Sequence, residues 1–188
     1  MKPKQLKKLL LSEIKLVSEN VNEYCFSEGK DFTRKRKLSF ETVIKTLMGM
    51  ESKSLSNELI TAFDTEPEMP STSAFVQQHY KIKPEAFKAV FDGFTSRLIN
   101  NTSTELRIFA IDGSDIQIAT NPNDATSYFP GTNGQKPYNL LHLNALYDLN
   151  NHIYTDAIIQ GGMDKNEHIA LQEMVDNSDI LKALVIAD

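Results

Sequence analysis

Near residue 105 the spacing of apolar residues changes from a helical period of about 3.6 to the compact runs of strands, which limits the chain to an α+β layout in two parts. Upstream, Leu6, Leu10, Ile14, Val17 and Val21 recur at helix spacing and predict a helix over 4–24. Ser39 then stands as an N-cap before Phe40, Val43, Ile44, Leu47 and Met48, an apolar stripe of one more helix. A third helix is expected over 55–63, capped by Ser54 or Ser56, and a short one from Ser73 to about Tyr80 after a loop at 64–72. Pro84 opens a fifth, with Phe87, Val90, Phe91, Phe94 and Leu98 on one face.

Downstream, the apolar run 106–111 ends on Asp112-Gly113-Ser114-Asp115, and Ile116 and Ile118 continue it. Residues 120–139 hold three prolines, two glycines and four asparagines and read as a loop. Two strands are expected at 140–147 and 153–159, joined by a hairpin turn at Asp148-Leu149-Asn150-Asn151. Gly161-Gly162 ends the second, and a helix over 165–175 follows, with Asp164 and Glu167 at capping-box spacing. A buried-strand pattern at 184–187 comes last. A helix between the third and fourth strands permits a parallel crossover onto a mixed sheet. That order is compatible with a ribonuclease-H-like core and with several other α/β folds. The expected division is a helical, basic region at 1–100 and a mixed α/β region at 105–188.

Composition excludes some classes. Hydrophobic residues make up 40% and charged residues 24%, ordinary values that argue against global disorder. The lone Cys25 has no partner for an internal disulfide and reads as a small apolar residue on a helix face. The leucines at 9–11 are interrupted at once by Ser12, Glu13 and Lys15, so a signal peptide and a membrane span are not expected, and a cytoplasmic location is. Residues 1–53 carry 12 Lys/Arg against 7 Asp/Glu, while the remainder carries 8 against 18. A basic front on an acidic body is a hint of nucleic-acid contact at one end.

Two aspartates sit in like settings. Asp112 follows the run 108–111, and Asp188 follows 184–187. Each is expected at the C-terminal end of a central strand, where ligand sites of open α/β sheets concentrate. On neighbouring strands the two carboxylates would share one cleft and a divalent metal. Magnesium takes oxygen ligands, commonly one or two carboxylates with water and substrate phosphate. Two such ions serve in-line phosphoryl transfer. A plainer explanation stands beside this: Asp ends strands because it favours turns, and Asp-Gly is a turn dipeptide.

The stretch Phe109-Ala110-Ile111-Asp112-Gly113-Ser114 resembles the first acidic motif of insertion-sequence transposases of the DDE type, in the large group with hairpin or hydroxyl strand-transfer chemistry. Val185-Ile186-Ala187-Asp188 is similar to the second motif, where Arg-Gly-Tyr normally follows the aspartate. Phe32-Thr33-Arg34-Lys35-Arg36-Lys37-Leu38-Ser39-Phe40 is similar to the group's basic N-terminal signature. Ser73-Ala74-Phe75-Val76-Gln77-Gln78-His79-Tyr80-Lys81-Ile82 is similar to a second signature, with His79 where arginine is more usual. The four motifs stand in the family's order and span most of the chain. The resemblance implies a ribonuclease-H-like catalytic core and Mg²⁺ in a two-metal site with Asp112 and Asp188 as catalytic metal ligands. It also implies double-stranded DNA at terminal inverted repeats as substrate, and a homodimer for the full-length protein. It requires a third acid, a glutamate on a downstream helix, which these residues do not include. The expectation is therefore the N-terminal portion of a metal-dependent polynucleotidyl transferase, with an incomplete catalytic domain that is inactive by itself.

Other residues keep two explanations. Arg34, Lys35, Arg36 and Lys37 suit phosphate contact with a strong salt dependence, or a solvated linker. The helices at 40–49, 55–63 and 73–80 suit a helix-turn-helix-like reader or a plain bundle. Gln77 and Gln78 suit bases, phosphates or water. Lys136, with Tyr128, Phe129 and Tyr138, suits stacking and phosphate contact on DNA, or a mobile surface loop. Asp115 is near Asp112 and suits a supporting role, Asp148 and Asp164 a turn and a cap. No histidine has ligand spacing with the cysteine, so zinc is not expected. Two rivals remain: an inactive DNA-binding remnant or repressor, and an unrelated phosphatase or nuclease using Asp112. An exposed apolar face or sheet edge near the C-terminus is expected to favour aggregation.

Overall fold

The computed structural model describes residues 2–34, 37–64, 69–99, 106–132, 134–178 and 182–187. It is a mixed α+β structure with six helices and a five-stranded mixed sheet among the described residues. The chain divides into two compact units, Met1–Phe94 and Thr95–Asp188. The expected division at 100–105 falls a few residues after this one. No helix among the described residues is long and apolar enough to cross a membrane.

The first unit is built from α1 (Pro3–Glu19), α2 (Phe40–Met48), α3 (Leu55–Phe63), α4 (Thr72–His79) and most of α5 (Glu85–Ile99). Serine caps set three starts: Ser39, Ser54 and Ser71 each accept from the backbone N–H three residues on. The cap at Ser71 starts α4 one residue before the expected Ser73. α1 stops at Glu19, so Val21 packs from beyond the helix rather than within it. α2 touches α1, α3 and α4 and carries the centre of the core, with Val43 and Ile44 fully buried beside Leu59, Phe75 and Val90. Cys25 is not on a helix face. It forms an antiparallel bridge with Ile82, and burial, helped by Asp31, pushes its thiol up to about 11. That suits an inert apolar filler.

The second unit is a sheet of β1 (Arg107–Ile118), β2 (Tyr128–Phe129), β3 (Tyr138–Asp148), β4 (Ile153–Gly161) and β5 (Ala183–Ile186), with α6 (Glu167–Asp176) between the last two strands. β3 lies antiparallel between β1 and β4, and β5 pairs parallel with β1 on its other side. The short β2 also pairs with β3, which makes part of the expected loop a strand. α6 packs on β3 and β4, and Met174 meets Phe109 and Leu146 in the core of this unit.

Three expectations change here. β1 does not turn at Asp112-Gly113-Ser114-Asp115; those four residues pair with Ala145, Asn144, Leu143 and His142 of β3. Asp and Gly have low strand propensity, but pairing along the whole of β3 overrides it. The loop before β3 is tethered by the buried Asn139, whose side chain accepts from Asn121 N at 2.8 Å and donates to Ser127 Oγ at 2.8 Å. Finally, Asn166 rather than Asp164 caps α6, accepting from Ile169 N at 3.1 Å.

Candidate functional site

Strand alternation sorts the polar residues of β1 onto two faces. Phe109, Gly113 and Asp115 face α6, while Asp112 faces the other side with Ile108 and Ala110. Asp112 is exposed and its carboxylate accepts from the Gly113 amide at 2.9 Å. It is not at a strand end, since β1 runs on to Ile118; it lies where β5 stops flanking β1. The parallel pairing closes at Ala110↔Ile186, two residues before each aspartate in sequence. Asp188 itself lies outside the described residues. A narrow cleft at this end of the sheet is lined by Asp112, Gly113 and Asn144, by Glu167 and His168 of α6, and by Ala187.

On the α6 face is a polar cluster that the sequence did not announce. His142 of β3 is 3% exposed. Its Nδ1 lies 2.7 Å from Asp115 Oδ1, and Lys165 Nζ sits 3.2 Å from both oxygens of that carboxylate. The His142 hydrogen bond, with the Lys165 ammonium, holds the Asp115 carboxyl below its ordinary value. An ionised Asp115 only accepts, so Nδ1 carries the ring proton. His142 Nε2 lies 3.0 Å from Glu167 Oε1. Asp115 therefore supports His142 and not Asp112, from which it is separated by the sheet.

His142, Lys165 and Glu167 escaped the sequence reading for a definite reason. β1 and β3 are joined by a long connection, so their register cannot be counted out from a tight turn. The pairing Asp115↔His142 exists only once the sheet is assembled. Glu167 looked like the partner of a cap at Asp164. The surviving signal was the density of polar residues in one otherwise apolar strand.

No family model, no curated protein and no solved structure matches the chain.

The residues expected to touch DNA separate into groups. In the first unit, Arg34 and Gln78 line one concave surface with Lys30, Lys81 and Phe32. Lys81 donates to Gln78 Oε1 at 3.2 Å and rides over the Phe32 ring at 5.8 Å. Phe32 holds this corner with a left-handed φ of 54° and an edge-on contact to Phe40 at 5.5 Å. Gln77 is exposed one position away, bonded to Ser73 Oγ at 3.3 Å. Lys37 is exposed, and Lys35 and Arg36 lie outside the described residues. Lys136 belongs to the second unit and is exposed beside Tyr138, whose ring stacks on Phe129 at 5.1 Å. The register thus joins Tyr138 to a strand rather than to a loose loop.

Proposed function

We propose that this chain is the DNA-binding region and the beginning of the catalytic core of a DDE-type transposase, the core being ribonuclease-H-like. The observation that carries the reading is the parallel β1–β5 pair, whose last partners, Ala110 and Ile186, each stand two residues before an aspartate of the motif pattern. The order of strand, antiparallel hairpin, helix and returning parallel strand also supports it.

The residues suit magnesium as far as they are described. Asp112 offers an exposed carboxylate with no basic partner among the described residues. Among the described residues no group of three or more His, Cys, Asp or Glu is placed to hold a metal ion. Asp112 and Asp188 would hold the ion, with the third carboxylate supplied by a downstream glutamate. A bound ion supplies charge stabilisation and an activated hydroxide for phosphoryl transfer. The protein's own part is to keep Asp112 on a rigid paired strand and to bring basic residues to the phosphates.

Duplex DNA carrying the inverted repeats that flank the coding region tests the reading. Binding is expected to prefer that duplex over a scrambled one and to weaken steeply with salt, and Arg34→Ala is expected to reduce the salt slope by about one. With Mg²⁺ and a chain that includes the downstream glutamate, strand cleavage is expected and Asp112→Ala is expected to abolish it. Cleavage unaffected by Asp112→Ala would sink the enzyme assignment. Equal affinity for both duplexes would sink inverted-repeat recognition. A second reading, a DNA-binding repressor without catalysis, is favoured by the gathering of Arg34, Gln78, Lys30 and Lys81 within the first unit alone. It predicts the same binding with no cleavage.

A further inference from the structure

His142 Nε2 and Glu167 Oε1 meet above Gly113, at the edge of a cleft that Asn144 also lines. A Cβ built on Gly113 would come within 2.4 Å of His142 Nε2 and 2.8 Å of Glu167 Oε1, so the missing side chain is what makes room for them. Across the strand pair, Gly113 faces Asn144, which is completely buried. The Asn144 Oδ1 atom and His142 Nε2 are both buried with no hydrogen-bond partner among the described residues. Leaving such atoms unpaired in the interior is costly, so a ligand is the economical explanation.

The orientation of each group is fixed by its other side. Gln160 Oε1 accepts from Asn166 N at 2.9 Å, and Gln160 Nε2 donates to Asn166 O at 3.3 Å. That settles the Gln160 amide, which in turn takes a hydrogen bond from Asn144 Nδ2 at 3.2 Å. The Asn144 carbonyl oxygen is therefore the free end. Likewise Asp115 engages Nδ1 of His142, which leaves Nε2 as the nitrogen that faces the cluster. Nε2 and Glu167 Oε1 approach to 3.0 Å without the alignment of a hydrogen bond. Neighbouring ligands about 2.1 Å from an octahedral cation are themselves about 3.0 Å apart, with lone pairs aimed at a third point. A ligating histidine whose second nitrogen donates to a carboxylate is the usual supporting arrangement in metal sites.

We infer that His142 Nε2, Glu167 and Asn144 Oδ1 form a site for a divalent first-row cation such as Mn²⁺, Co²⁺ or Zn²⁺, with Asp115 and Lys165 orienting the histidine. The mixed nitrogen and oxygen donors select that class over Ca²⁺. The site borders the cleft that Asp112 also lines, uses other side chains, and stands whether or not the chain acts on DNA. Its place ties the first turn of α6 to the central strands.

Titration with Co²⁺, read by visible absorption and by the rise in melting temperature, tests it on the full chain. In an Asp112→Asn background, which removes the proposed magnesium ligand, one equivalent of Co²⁺ is expected to bind. His142→Gln and Glu167→Gln are each expected to weaken it at least tenfold, and Asp115→Asn by about 10–100-fold through the histidine. Wild-type affinity retained in His142→Gln, or no uptake by the wild type at millimolar Co²⁺, would each overturn the assignment. Should His142→Gln lose its fold by circular dichroism, Glu167→Gln decides alone, because that side chain is mostly exposed. Unchanged affinity there overturns the site.

Discussion

Asp148 has a fully buried carboxylate held by five hydrogen bonds: two from Arg107, two from the amides of Asn150 and Asn151, and one from Asn151 Nδ2 at 2.8 Å. Burial opposes the charge, but the Asn151 and Arg107 hydrogen bonds outweigh it and keep the carboxyl below its ordinary value. A lowered carboxyl contributes stability that is present above the ordinary carboxylate pKa of about 4 and is lost as pH falls through the lower folded value. Asp148→Ala is expected to cost roughly 3–5 kcal/mol near neutral pH, because it strands the Arg107 guanidinium over the Phe109 ring. Denaturant melts from pH 7 to 2 check both points: the variant should show the shallower loss in acid. A cost under 1 kcal/mol would mean that the pair is dispensable. The turn role of Asp148 was legible from Asp-Leu-Asn-Asn; the partner 41 residues away was not.

Among the elements, helix starts were the most legible because a cap is a local device. Ser39 was read as a cap from its place before an apolar stripe, and it accepts from Thr42 N at 3.1 Å. Ser39→Ala is expected to lower the stability of the first unit by about 1 kcal/mol, with Ser39→Asp restoring it, as measured by urea melts. No change on removing the hydroxyl would show that tertiary packing alone fixes the start of α2. Strands were less legible. The apolar run 106–111 points to a strand that ends on Asp112, yet the backbone of Asp112 and Gly113 is committed to β3 across a long connection. α6 was placed correctly, but its cap moved from Asp164 to Asn166 because the Gln160 side chain fastens the Asn166 backbone. A cap anchored by a neighbouring strand has no local signature.

At the scale of the whole molecule, the helical unit has an apolar core of its own, while the sheet is covered on the α6 face. The opposite face, which bears Asp112, presents Leu184 and Ile186 of β5 and Tyr154 and Ile159 of β4, all at least half exposed. The expected apolar exposure toward the C-terminus is therefore present, and it extends across to β4. Ile159, at 64% exposed, is the clearest probe. Ile159→Thr keeps strand propensity and is expected to reduce self-association in light scattering, with stability changed by no more than about 0.5 kcal/mol. A larger loss of stability would show that the face packs against something.

The switch from helices to strands, the serine caps, the hairpin turn and the returning strand before Asp188 are all written locally in the chain. Each of these depends on neighbours within a few residues, which periodicity and turn chemistry report directly. Which polar residues share a side follows from how the sheet is assembled. That assembly put Asp112 on the face away from α6, and Asp115, His142 and Glu167 on the face beneath it. In a sheet, a shift of one residue in register exchanges the two faces. The register of β1 on β3 is set by pairing along their length, not by the connection between them.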